Sequence, residues 1–423
     1  MKAFTASLLT ALAAATPDVA WESLGHFKLH HAAFPHVTKF EDSDPFLLCS
    51  AFSAIGNGDI YIVDDIAAAV QSGSVKNLAS HNLYIKHLQW PNDVKVVPYD
   101  VFDQRAIVIP DGFLVPGHSD GGIYVSTIAD DDIRKVENTY TIAHNKDGYF
   151  YHMGEWIDLN GDGRKDFITA KSNAKEGGGR LVWYEHPEEG LEGEWIEHVV
   201  TAGPDVGIEV VEGIWKNEIV VFAAEFFNER VSFYRVSTKD GTLVDSRIIE
   251  DGTILSAYSV TYADINGNGD MELMVNNHEK SDKTNGIWAY TFPSKWMTGD
   301  FEKHTLATGF KNAFSITVPN MAPGFPYPFY PEVNHSKHTP PHIVVAGDGD
   351  HTAHIMTLTD QKTYSFDLDT IKDEKGTVGA LTWADLDNDG WNELWVPNYD
   401  GGYVEVFKFM PLESHGMDST MFQ

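Results

Sequence analysis

The chain is nearly without cysteine. Its 423 residues include one, Cys49, so no intramolecular disulfide and no paired-cysteine site can form. Positive charge is also scarce. Only 30 Lys and Arg stand against 62 Asp and Glu, a formal net charge of −32. That balance excludes a nucleic-acid partner, which needs cations to neutralise phosphates, and disfavours an anionic membrane surface. No apolar run approaches the ~18 residues of a spanning helix, so no membrane span is expected. No segment keeps a helical period beyond two or three turns; residues 66–78 come nearest and read as a surface helix. There is no His-Glu-x-x-His and no phosphate loop. Their absence removes the zinc proteases and nucleotide enzymes, and no organic cofactor is expected. Cys49, in Phe46-Leu-Leu-Cys49, reads as a small core residue rather than a nucleophile.

What the chain does have is a nine-residue sentence, written three times. It reads Asp158-Leu-Asn-Gly-Asp-Gly-Arg-Lys-Asp166, Asp264-Ile-Asn-Gly-Asn-Gly-Asp-Met-Glu272 and Asp385-Leu-Asp-Asn-Asp-Gly-Trp-Asn-Glu393. Oxygen-bearing side chains stand at positions one, three, five and nine, with Gly at six. That pattern suits a hard cation, because Gly permits the sharp turn and the carboxylates converge. The expected calcium ligands are Asp158, Asn160, Asp162 and Asp166; Asp264, Asn266, Asn268 and Glu272; and Asp385, Asp387, Asp389 and Glu393. The second set should bind most weakly, since Asn268 replaces a carboxylate. Strand-like runs enter and leave each loop where an EF-hand would have helices, so each loop reads as a strand-to-strand turn. This resembles the FG-GAP/VCBS repeat of integrin-type β-propellers.

The copies lie about 105 to 120 residues apart, too far for single repeats of ~40–50 residues, so degenerate units should lie between them. Elsewhere short strands alternate with Gly, Asp, Asn and Pro, an all-β signature. The unit has an inner strand, a loop, a second apolar strand, a third strand with alternating aromatics, and a fourth. Gly179-Arg-Leu-Val-Trp-Tyr-Glu185 and Gly402-Tyr-Val-Glu-Val-Phe-Lys408 are third strands. One unit reads as interrupted by an insertion at residues 319–341. About seven units are expected, forming a single closed β-propeller over residues 16–423. The last stops after three strands, and His26-Phe-Lys-Leu-His30 is available to complete it, which removes exposed edges.

The functional face is expected opposite the acidic loops, where second strands end and inner strands begin. Asp111, His118, Lys171, Glu225 and His278 stand at or just beyond second-strand ends, and Asn92, His152, Glu209 and Tyr258 near inner-strand starts. Trp90, Phe226, Phe227, Phe314 and Tyr399 are interleaved with them, an aromatic mouth of the kind that takes small molecules. His118, His152 and His278 are the expected proton-transfer groups, since imidazole titrates near neutrality. Asp111 and Glu225 are expected as bases or as partners orienting those rings, and Lys171 as the cation for a developing oxyanion. These residues differ from unit to unit, which points to one asymmetric pocket. The calcium loops are expected to be structural.

The N-terminus reads Met1-Lys2-Ala-Phe-Thr-Ala-Ser-Leu-Leu-Thr-Ala-Leu-Ala13-Ala14-Ala15, one cation, a short apolar stretch and small residues. That is the form of a signal peptide over residues 1–15, and implies a secreted or secretory-pathway protein. Asn334-His335-Ser336 is a sequon, placing a glycosylation site at Asn334.

Beyond the repeat, four segments carry a further likeness: Phe40-Glu-Asp-Ser-Asp-Pro-Phe46, Gly58-Asp-Ile-Tyr-Ile-Val-Asp-Asp65, Pro91-Asn-Asp-Val-Lys-Val-Val97 and Ile109-Pro-Asp-Gly-Phe-Leu-Val-Pro-Gly-His-Ser-Asp-Gly-Gly122. With these the chain resembles fungal secretory-pathway proteins of the hetero-Diels–Alderase group of tropolone–sesquiterpene (meroterpenoid) biosynthesis. The resemblance implies dehydration of a hydroxymethyl-tropolone to a quinone methide, which then adds to an alkene of a humulene-type terpene. The partner would be a small, largely apolar molecule, and the protein a monomer. Competing readings are a carbohydrate-binding propeller, or lectin, and a sugar dehydratase or polysaccharide lyase. A lectin should repeat its site from unit to unit. A lyase needs more cations at the mouth for an anionic sugar.

Overall fold

Short runs of alternating or wholly apolar residues, cut by turn residues, build the molecule. The computed structural model describes residues 18–53, 58–112, 121–144, 148–173, 178–313 and 321–412. The expected signal peptide, His118 and Phe314 lie outside them. The chain forms seven antiparallel four-stranded sheets. First strands of successive sheets pack on one another, and that of the first sheet packs on that of the last, so these strands surround an axis and the sheets are propeller blades. In order, the inner strands are Ala32–Thr38, Lys95–Val96, Phe150–Ile157, Gly207–Glu212, Ala257–Ala263, Pro326–Phe329 and Thr382–Ala384, of blades 1 to 7.

Closure is by the two ends of the chain. Val19–Lys28 pairs antiparallel with Tyr403–Pro411 as the outermost strand of blade 7. The borrowed strand therefore lies earlier than residues 26–30, and Leu24 and Phe27 carry its buried side. The two ends together complete the fourth strand of the last blade.

Second strands are apolar without alternation, such as Ile219 to Ala224 within Glu218–Glu225, because neighbouring blades cover both faces. Phe222 and Phe233 of blade 4 pack on Val260, Leu273 and Val275 of blade 5 in one such interface. Phe222 is fully buried, and truncating it to Ala would cost ~3–5 kcal/mol. Cys49 is buried in the blade 1 core, and burial pushes its thiol up to about 12, which keeps it protonated and inert.

Two expectations need correction. Residues 319–341 are not a mere insertion, since they contain the inner strand of blade 6. Pro326 and Pro328 concealed it. Phe325 O accepts from Ala346 N at 3.0 Å, and Tyr327 pairs with Val344, so the odd positions face the ladder. The alternate prolines turn their missing N–H toward the axis, where no ladder bond is lost. The helix at 66–78 is shorter, Ile66–Gln71, and Ile66 and Val70 are buried in the core. Among the described residues no helix is long and apolar enough to cross a membrane.

Candidate functional site

Inner strands enter from one end of the axis, the mouth, and lead into the acidic loops at the other. Three of them bulge near the mouth. The register slips between Ala32 and Phe34 in blade 1, Tyr151 and Gly154 in blade 3, and Ala257 and Ser259 in blade 5. A bulge leaves a residue out of the ladder and re-aims its side chain. Here the slips bring Phe34, His152 and Tyr258 together, with Phe325 of blade 6. His152 stands edge-on to Phe34 at 5.5 Å and to Tyr258 at 6.0 Å between ring centroids. Phe325 lies 6.0 Å from Phe34 and 4.8 Å from Tyr258. Close approach is helped by Gly207, where a Cβ would come within 2.3 Å of Tyr258 O.

His278 joins this cluster, stacked on Tyr258 at 4.6 Å. Its Nδ1 lies 3.1 Å from Pro323 O, which can only accept, so Nδ1 carries the hydrogen and Nε2 is left as the acceptor. Nε2 faces Asp348 Oδ2 at 3.7 Å. Burial pushes His278 down to about 4, against the Pro323 carbonyl, and pushes His152 down to about 4, against the charge of Asp93. Burial, then the charges of Asp350 and Asp400, push Asp348 up to about 7. The mouth therefore holds two neutral imidazoles beside a carboxyl that keeps its proton near neutrality. Asp348 sits at φ 53°, a strained conformation for a residue with a side chain.

The expected site residues divide. His152 and His278 meet through Tyr258. Asp111 is buried beneath the residue 89–90 turn, where both carboxylate oxygens accept from Gln89 N, and burial pushes it up to about 7. Glu225 is fully buried and accepts from Tyr234 OH and Arg230 Nε, each at 2.6 Å. Lys171 donates to both oxygens of Glu197 at 2.6 and 2.7 Å, toward the outer edge of blade 3. These three side chains are engaged away from the aromatic cluster.

Apart from Glu209, the sequence reading missed the polar wall further down the axis. His36 Nε2 lies 2.8 Å from Asp93 Oδ1, Lys95 Nζ lies 2.9 Å from Asp93 Oδ2, and Lys95 Nζ lies 2.7 Å from Glu155 Oε1. Burial would raise Asp93, but Lys95 and His36 outweigh it and hold the carboxyl far below its usual range. Glu209 follows in blade 4, where burial pushes it up to about 7. The signal was there: Phe34 and His36, Asp93 and Lys95, and Phe325 and Tyr327 are spaced by two, and residues two apart share a strand face. A groove of about 690 Å³ between blades 1 and 2 is lined by Tyr84, Lys86, His87 and Arg134, and none of the axial residues touches it.

At the opposite end each loop folds on its first Asp. Asp158 accepts from Gly161 N at 2.7 Å and Gly163 N at 3.0 Å, and Asp264 accepts from Gly267 N at 2.7 Å and Gly269 N at 2.8 Å. Asp385 accepts from Gly390 N at 3.0 Å. The sixth-position glycines adopt φ 88°, 92° and 93°, which requires glycine. Asp166 and Glu272 have both oxygens engaged, Asp166 by Leu159 N and His186 N, and Glu272 by Ile265 N and Tyr364 OH. Glu393 uses only one, on Leu386 N; its Oε1 is buried without a hydrogen-bond partner. Asp385, Asp387 and Asp389 offer oxygens within 4.8 Å of one another. This all-oxygen set fits a hard cation.

No protein-family model and no curated protein sequence matches the chain. A solved structure titled "Structure of Dos1 propeller" is similar over 86% of this chain and 74% of that chain, at 11% identity and a TM-score of 0.47. That likeness bears on no activity. The assignment of this chain as a seven-bladed β-propeller rests on its own sheet order.

Proposed function

We propose that the mouth is the active site of a secretory-pathway enzyme that turns over a small, largely apolar molecule. The observation that carries this is the pairing of neutral His278 and His152 with proton-bearing Asp348 inside an aromatic wall. Acid–base chemistry needs a donor and an acceptor whose pKa values are driven apart, and burial does that here. Following the resemblance to hetero-Diels–Alderases, the substrate is a hydroxymethyl-tropolone. Asp348 protonates the leaving hydroxyl while His278 Nε2 takes the tropolone proton, releasing water and an ortho-quinone methide. That heterodiene adds across an alkene of a humulene-type terpene, forming one C–C and one C–O bond of a dihydropyran. Phe34, Tyr258 and Phe325 hold the two partners together, and proximity alone lowers such a barrier by several kcal/mol. The N–H of His152 donates to the quinone-methide carbonyl.

The same reading takes the three loops as calcium sites of FG-GAP/VCBS type. Calcium would pin the turns of blades 3, 5 and 7, with Asp385, Asp387, Asp389 and Glu393 the set that fits it best. Asn334 is exposed and open to glycosylation. The test is incubation of the protein with a hydroxymethyl-tropolone and a humulene-type alcohol, with the adduct followed by mass spectrometry. Adduct of a single stereochemistry, lost in His278→Ala and Asp348→Asn, supports the reading. Racemic adduct at the rate without protein overturns it, and glycan binding at the mouth would then favour the lectin reading.

A further inference from the structure

The three acidic loops share a sentence but not a neighbour. Across the ladder from the ninth residue, Glu393 of blade 7 faces Lys408, and Glu272 of blade 5 faces Thr291. In blade 3 Phe167 pairs with Tyr184, so the next residue on the strand facing that loop is Glu185. The neighbour is thus a cation, a neutral hydroxyl or an anion. Lys408 uses its charge. Its ammonium contacts Asp387 and lies 2.6 Å from Asp389 Oδ2. It sits among the oxygens that would converge on a metal. It does not meet every donor, because Glu393 Oε1 stays buried and unpartnered behind it. One ammonium offers three hydrogens, whereas a calcium-type ion takes six to eight oxygens.

We propose that Lys408 is the resident cation of the blade 7 loop and that a hard divalent cation must displace it to bind. This rests on the reading of the loops as cation sites. The displaced ammonium has a destination. Lys408 pairs with exposed Glu22 on the closing strand Val19–Lys28, and directly opposed residues place their Cβ atoms ~5 Å apart. Cation binding at blade 7 therefore moves a positive charge from the loop to the strand that closes the ring. The blade 5 loop has no such device, since Thr291 carries no charge.

Blade 7 can be read alone. Its seventh loop residue is Trp391, where the other loops have Arg164 and Asp270. Terbium is a luminescent calcium surrogate sensitised by adjacent indole, so the signal lost in Trp391→Phe belongs to this loop. Titrating the full chain with terbium, then competing with calcium, gives the affinity in wild type, Lys408→Thr and Lys408→Met. Circular dichroism confirms that each variant is folded. Tightening of about ten-fold or more in both Lys408 variants is expected. Unchanged or weaker binding in both, with the Trp391 signal intact, overturns the role of Lys408 while leaving the loop a cation site. Absence of any Trp391-dependent signal in all three proteins overturns the cation reading itself, and the inference with it.

Discussion

The two ends of the axis are built from the same seven inner strands and solve opposite problems. At the loop end, blades 3, 5 and 7 repeat one acidic sentence, and each loop folds on backbone N–H groups donated to its first Asp. At the mouth, the seven blades agree on almost nothing. His152, Tyr258 and Phe325 come from three blades and differ in kind. Repetition marks a local need those three blades share, a turn between strands. Divergence suits the proposed single asymmetric site, which needs each side chain once.

The first way to break the comparison is to remove a mouth-end carboxylate that the structure ties into the frame. Glu225→Ala leaves Arg230 and Tyr234 facing an empty buried position, and should cost ~3–5 kcal/mol in urea unfolding. An unchanged midpoint would return Glu225 to the list of site residues. The second removes a group placed in the site. His278→Ala should lower turnover of the tropolone substrate by ~100-fold, about 2.7 kcal/mol, with the unfolding midpoint held. If both fall together, His278 is part of the frame and the division between the ends fails.

The third uses pH. An acid must be protonated to act, so activity should fall above the raised value of Asp348, about 7, by ~tenfold per unit. A base must be unprotonated, so the acid limb should lie near the lowered value of His278, about 4. In Asp348→Asn the residual rate should lose its alkaline limb. A limb that persists unchanged assigns it to another group. The smallest effect belongs to the loop end. Excess chelator should lower the melting temperature by roughly 3 °C while leaving the tropolone turnover rate below melting unchanged, since a cation bound only to the folded state stabilises it by mass action. Loss of activity at unchanged melting temperature would join the two ends into one site.

Much of the frame was legible in the chain. Three acidic loops, apolar second strands such as His342–Ala346 and aromatic third strands such as Gly178–Glu185 mark the blades, because each is a local pattern with a local cause. The inner strand of blade 6 was not, because Pro326 and Pro328 imitate a loop until their missing N–H groups are seen to point at the axis.

The site was legible only in part. His152 and His278 were identifiable as mouth residues, but nothing local distinguishes them from Lys171 or Glu225, which turn to Glu197 and Arg230 instead. Sequence alone determined the all-β class, the number of units, the turn chemistry and the means of closure, since these follow from residue spacing along one strand or one turn. Tertiary structure decided which side chains share the axis. Bulges in blades 1, 3 and 5 override the spacing of two, and contacts such as Phe34 with Phe325, or Lys408 with the loop at Asp387, depend on how blades and strands come together in three dimensions. The burial that moves Asp348 and His278 in opposite directions exists only once the ring has closed, because a pKa responds to the protein packed around a group rather than to its neighbours in the chain.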